Sequence, residues 1–327
     1  MFRKITAMLF IFLASCVLAD TTDDRSEKKP EGYDPWYTGP IVASSANCMY
    51  PLQWNVQPYI YVQDTYGMYD QHWSFHSEED TLSVISTCSF QTGITNWMDI
   101  ILNIGTTYNE KAHHNAFGYM DTGVNVGFQI IRGQKGSFIP SIKTGWAQLF
   151  PTGKYENLSP DKLGIDAMGG GSYVSRVYLN ISKVQYWLIN HPIAWRLNFA
   201  YHKATDVSVH GFNAYGGGYG TNGKVKLGYI FSGTFAFEFS LTQRWVLALD
   251  TVFVKAGKTK FSGNPGRNAD GTLASNTRGD KYQLSFAPAL EYNISENGGF
   301  IAGAWVTALG RNASEFISGV ISFTYTW

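Results

Sequence analysis

Two short clusters come first among the residues that could do chemistry. His72-Trp73-Ser74 and His76-Ser77 set imidazoles beside hydroxyls, the pairing from which a serine nucleophile is built. Such a nucleophile needs its base within hydrogen-bond reach and a third group to orient that base. Both pairs fall in one polar stretch, and no Gly-x-Ser-x-Gly element accompanies them, so no residue is assigned a catalytic role. His113 and His114 are adjacent, and on an extended segment adjacent side chains point apart, which disfavours a shared metal. Cys48 and Cys88 have no histidine at zinc-ligand spacing; they permit a disulfide, or serve as two isolated small apolar residues. Neither a metal nor a cofactor is expected.

A different group is more informative. Asp99, Lys143, Arg176, Arg196, Glu238, Asp250 and Glu291 are single charges set into segments that otherwise alternate apolar with small or polar residues. Their meaning depends on the elements that carry them.

Those elements are strands. The 327 residues are 16% aromatic and only 15% charged, with 34 Gly, against roughly 25% charge and 7% Gly in a typical soluble domain. Lys+Arg and Asp+Glu are equal at 25 each, so no basic excess is available to neutralise nucleic-acid phosphates. Arg3 and Lys4 precede an apolar run from Ile5 to Leu18, the pattern of an export signal, with cleavage expected after Ala19; Leu13-Ala14-Ser15-Cys16 offers a competing lipobox at Cys16. Residues 20–52 read as an extended, first charged and then Pro- and Gly-punctuated segment, periplasmic or lumenal.

From 53 to 327 the apolar period is two. At the C-terminus Ile317, Gly319, Ile321, Phe323, Tyr325 and Trp327 share one face, and Ser318, Val320, Ser322, Thr324 and Thr326 the other. The same alternation runs through Phe235, Phe237 and Phe239, and through Trp245, Leu247 and Leu249. It predicts about twelve strands, over 53–64, 81–91, 96–107, 119–132, 137–148, 171–184, 192–205, 223–241, 245–257, 279–293, 299–309 and 315–327. Connections after the odd strands up to the ninth are long; those after the even ones are short, as in Thr242-Gln243-Arg244. Long strands with loops of alternating length imply an all-β, antiparallel, up-and-down transmembrane barrel. Hydrocarbon satisfies no backbone polar group, so strands can span only when closed into a ring. Phe323, Tyr325 and Trp327 then form the terminal aromatic signal by which barrels are inserted, and the expected partners are outer-membrane lipid and the barrel-assembly machinery.

In such a barrel the seven charges face inward, because Arg or Lys facing lipid at the midplane costs about 2–4 kcal/mol. Lys143, Arg176 and Arg196 would line one wall, Glu238, Asp250 and Glu291 the next, with Asp99 and Asp121 on the far side. Two readings stay open: a polar track with a transverse field for a solute, or a salt-bridge network that closes the lumen. Tyr59, Trp245, Trp305 and Trp327 are expected among the interfacial, lipid-facing aromatics.

Asp34-Pro35-Trp36-Tyr37-Thr38-Gly39-Pro40, the strand from Trp54 to Val62, Leu241-Thr242-Gln243-Arg244-Trp245, Phe286-Ala287-Pro288-Ala289-Leu290 and Gly310-Arg311-Asn312 resemble outer-membrane transporters of the MetA-pathway of phenol degradation family. The resemblance covers nearly the whole chain after the signal. It implies a barrel in the bacterial outer membrane that passes a small, hydrophobic or aromatic solute. The alternatives are a structural or adhesive surface barrel acting through its loops and, behind it, an outer-membrane hydrolase.

Overall fold

The computed structural model describes residues 35–327 except 135, 136 and 189; the expected signal segment lies outside the described residues. Sixteen strands are present among the described residues: β1 (Trp54–Tyr69), β2 (Phe75–Thr95), β3 (Met98–Lys111), β4 (His114–Tyr119), β5 (Thr122–Ile131), β6 (Ser141–Phe150), β7 (Val174–Gln185), β8 (Ile193–Ala204), β9 (Val207–His210), β10 (Asn222–Lys226), β11 (Ile230–Ser240), β12 (Trp245–Ala256), β13 (Lys260–Asn264), β14 (Lys281–Ser295), β15 (Gly298–Arg311) and β16 (Ala313–Thr326). β4 and β5 both pair with β3 and act as one interrupted strand, so the ring has twelve staves. It closes where β1 pairs antiparallel with β16. At that seam Trp54 and Trp327 exchange two backbone hydrogen bonds of 2.9 Å. The chain thus forms a closed antiparallel barrel without a free edge.

Period two becomes inside and outside. Along β12, Val246, Ala248, Asp250 and Val252 are buried, while Trp245, Leu247 and Phe253 are exposed on the outer wall. Lys255 continues the outward row and lies over the rings of Tyr229 and Tyr282, at 6.0 and 5.5 Å. Ten residues separate Trp245 from Lys255, about 33 Å of strand and, at the usual tilt, the roughly 25 Å of an apolar membrane band. Phe323, Tyr325 and Trp327 stack along the outer face near the inner end, with centroids 6.4 and 5.8 Å apart.

Several expectations require correction. The first two outer connections are not long loops, because β1 and β2 continue as paired strands to residues 69 and 75, and β3 turns into β4 at 112–113. Residues 223–241 do not form one strand: Asn222–Lys226 leaves the barrel and joins β9 and β13 in a separate three-stranded sheet. Its inner face, Val207, Val209 and Val225, packs with Tyr155, Tyr215 and Phe261 into a small core of its own, so burial overrides the continuous alternation. Tyr59 and Trp305 face the lumen, not the lipid, since each falls on the inward parity of its strand.

The loop of residues 151–173 is also ordered. Asp121, between β4 and β5, clamps it by accepting from the N–H groups of Gly153 and Gly170, both at 2.9 Å. That carboxylate therefore serves the outer loop and does not join the lumenal charges. Ile165 and Met168 of the loop bury against Ala116 of β4.

Candidate functional site

The described chain begins inside the barrel. At the inner end, Tyr37 donates its hydroxyl to the Pro192 carbonyl at 3.4 Å, and Asn293 donates its amide to the Trp36 carbonyl at 3.1 Å. The segment then rises, crosses the lumen and descends to β1, so residues 35–53 form an arch. Apart from its end, where residues 51–53 pair with Gly93 of β2, the segment has no sheet partner, and its backbone groups must be satisfied by inward side chains. The inward polar residues supply them one after another.

Glu291 on β14 accepts the N–H groups of Thr38 and Gly39, at 2.8 and 3.2 Å. Asp250 on β12 accepts those of Val42 and Ala43, at 3.1 and 2.9 Å. Asn198 on β8 holds Ser44 at both its N–H (2.8 Å) and its carbonyl (3.1 Å). Asn180 on β7 donates to the Ser45 carbonyl at 3.2 Å, and Gln129 on β5 brackets Ala46 and Cys48 at 2.8 and 2.7 Å. Asp99 on β3 accepts from Met49 at 3.2 Å. Ile41 adds an apolar anchor against Ala248, Ala287, Ala289, Ile301 and Val320.

The expected charges therefore meet in the lumen, but in pairs and on a backbone rather than as two adjoining walls of opposite sign. Arg196 donates to Glu238 through Nε (2.8 Å) and Nη2 (3.1 Å), and its Nη1 reaches the Ala43 carbonyl at 3.3 Å. Lys143 donates to Asp99 at 2.7 Å. That second pair spans from β6 to β3 across β5, which is open there only because residue 127 is glycine: a Cβ would meet both Lys143 and Asp99. Gly39 has φ +101°, and a Cβ on it would lie 3.2 Å from the Arg196 guanidinium, so glycine lets the arch and the ion pair touch. Arg176 stands apart, its guanidinium over the Tyr178 ring at 5.2 Å.

Sequence reasoning did not find Asn180, Asn198, Gln129 or Gly127. An amide on the inward parity of several adjacent strands was the available signal. The Cys48–Cys88 bridge is corrected: both are free, Cys48 in the lumenal arch and Cys88 opposite Pro58 and Ile104 on the outward parity of β2, with the wall between them. At the outer hairpin tip, His76 binds Asp70 at 3.0 Å, while Ser77 donates to the Tyr66 carbonyl at 3.5 Å; the His–Ser pairing for a nucleophile is not assembled.

The arch leaves a cavity of about 690 Å³ in the lumen, walled by β1 and β2 on one side and by β7, β8, β11 and β12 on the other. It extends from Glu296 and Gly298 at the inner turn to His202, Ile230 and Val254 in the outer part.

No family model matches the sequence, and no curated protein sequence is similar to it. Solved structures are similar in fold. The COG4313 outer membrane channel from Pseudomonas putida F1 superposes with a TM-score of 0.63 at 10% identity, over 87% of this chain and 98% of that one. The translocator domain of the autotransporter NalP from Neisseria meningitidis gives 0.42 at 10% identity, over 83% and 88%. A deletion mutant of the monoaromatic hydrocarbon channel TodX gives 0.38 at 11%, over 84% and 89%. The fold and the outward apolar belt define the class: this is a closed, twelve-stranded antiparallel β-barrel of the transmembrane kind, similar in fold to that channel.

Proposed function

We propose that the protein is an outer-membrane channel for a small, largely apolar solute, narrowed by the arch of residues 35–53. The observation that carries this is the cavity beside the arch, which reaches from the inner turn to the outer part of the barrel. Its lining mixes Tyr59, Tyr61 and Trp305 with amides and hydroxyls such as Gln57, Ser89 and Asn103. Aromatic walls with sparse polar groups suit a ring-sized solute better than a bulk aqueous stream. The shared fold with a protein solved as an outer membrane channel accords with the reading. In this scheme Asp99, Arg196, Asp250 and Glu291 set the pore by holding the arch, while Lys143 and Glu238 fix Asp99 and Arg196 in place.

The test is uptake into proteoliposomes carrying the folded, full-length mature chain, with benzyl alcohol and glucose as probes. Benzyl alcohol entering faster than in protein-free vesicles, with glucose excluded, is the expected result. Equal rates with and without protein would end the proposal. The separate outer sheet, with Lys224, Lys226 and Lys260 exposed, favours surface adhesion as a second reading; a protein that binds surfaces but passes no solute would support it instead.

A further inference from the structure

Three cations line the cavity, Lys143, Arg176 and Arg196. Two are neutralised: Lys143 by Asp99 at 2.7 Å and Arg196 by Glu238 at 2.8 Å. Arg176 is not. No ion pair engages it among the described residues, and its Nε is buried without a hydrogen-bond partner. Its strand neighbours offer no acid: Ala147 lies opposite on β6 and His202 opposite on β8. The lining carboxylate, Glu296, belongs to the inner turn at the far end of the cavity.

A desolvated guanidinium with an unused donor is unfavourable unless something completes it. The other two cations of this cavity are completed by the chain's own carboxylates. At Arg176 the chain instead supplies an aromatic face, Tyr178, at 5.2 Å and leaves the remaining side open to the cavity. Position fits the same use. Arg176 lies four residues toward the outer end from Asn180, which holds the arch, so it stands about 13 Å along the strand, and at the usual tilt about 10 Å along the barrel axis, outside the constriction. An incoming solute meets it before the arch.

We propose that Arg176, backed by Tyr178 and flanked by His202, is an anion subsite that takes the carboxylate of an aromatic or other apolar monoacid, a reading that rests on the channel function above. The guanidinium fork matches a carboxylate with two parallel N–H···O bonds. One unpaired cation matches one negative charge. The apolar remainder of the solute lies along Tyr61, Val252 and Trp305, which line the same cavity.

Benzoate and benzyl alcohol are nearly isosteric and differ in charge, so uptake of both into proteoliposomes tests the subsite. The wild-type protein should pass both and favour benzoate. Arg176→Gln should lower benzoate uptake about tenfold, the worth of one charged hydrogen bond, and leave benzyl alcohol unchanged. Arg176→Lys, which keeps the charge and loses the fork, should fall between them. Heat-modifiable gel mobility confirms that each variant is a folded barrel. If neither probe enters faster than into protein-free vesicles, the channel reading itself fails. Entry of both at equal rates, untouched by Arg176→Gln, leaves the channel standing and overturns the subsite. An equal fall for both probes assigns Arg176 a structural role and also overturns it. Chloride selectivity that drops in Arg176→Gln without any change in benzoate uptake would reduce the site to a general anion attractor and sink the carboxylate assignment.

Discussion

Arg196 and Glu238 face each other across β8 and β11 through two hydrogen bonds of 2.8 and 3.1 Å, with the carboxylate fully buried. The same guanidinium also holds the Ala43 carbonyl of the arch. Wall and arch are therefore fastened at one group. Arg196→Gln leaves Glu238 buried and unpaired, which costs about 3–5 kcal/mol. The temperature at which the barrel loses its compact gel mobility should fall, and Glu238→Gln in the same chain should restore much of it. A single variant as heat-resistant as the wild type would show that the pair contributes little.

Removing residues 35–49 should raise single-channel conductance several-fold, because the arch occupies lumen that the wall alone does not fill. The double variant Asp250→Asn, Glu291→Gln should give a milder version, since four N–H groups of the arch end on those two carboxylates and charged acceptors are worth roughly twice neutral ones. Unchanged conductance after the deletion would place the limiting constriction elsewhere.

At Gly127 a side chain collides with both members of the Lys143–Asp99 pair. Gly127→Val should destabilise the barrel by about 1–3 kcal/mol through overpacking, more if the pair breaks. Gly233, where an added Cβ comes no nearer than 3.7 Å to any atom, supplies the control. Urea midpoints of the two variants compared side by side decide it, and equal midpoints would contradict the packing argument.

The seam makes a kinetic prediction. Deleting Trp327 removes its two backbone bonds to Trp54, about 1 kcal/mol each, and a ring stack worth about as much. Assembly into outer-membrane vesicles should slow markedly. Thr326→Ser keeps the hydroxyl that accepts from Asn55 at 3.0 Å and should assemble normally. Equal assembly of both variants would remove the terminal residue from the insertion signal.

Asp70, at the exposed tip between β1 and β2, is pulled from 3.8 to about 2 by the Ser74 N–H, the His76 ring and the His72 N–H. A lowered carboxylate value means that the tip is fully stabilised above 3.8 and loses that contribution as the pH falls through about 2. Hydrogen exchange in residues 70–76 should stay slow from pH 7 to 4 and quicken, relative to its intrinsic rate, below that. Asp70→Ala should show the quick exchange at every pH.

The sequence by itself determined the barrel. Alternation such as Phe235, Phe237 and Phe239 against Ala236, Glu238 and Ser240 fixes which side of a strand is apolar. Strands of that kind can stand in lipid only as a closed ring, so twelve staves and their inward charges follow from residue types alone. What each charge does was decided by tertiary structure. Asp250 and Glu291 read as one acidic wall, yet they accept the backbone of a segment more than 200 residues away in sequence. Lys143 and Asp99 meet across an intervening strand because of one glycine, and Asn222–Lys226 left the ring because Val225 found a core above it. Period two reports the face of a residue and nothing about its partner. Partners across a lumen are set by ring closure, shear and the path of a chain that has no periodicity to read.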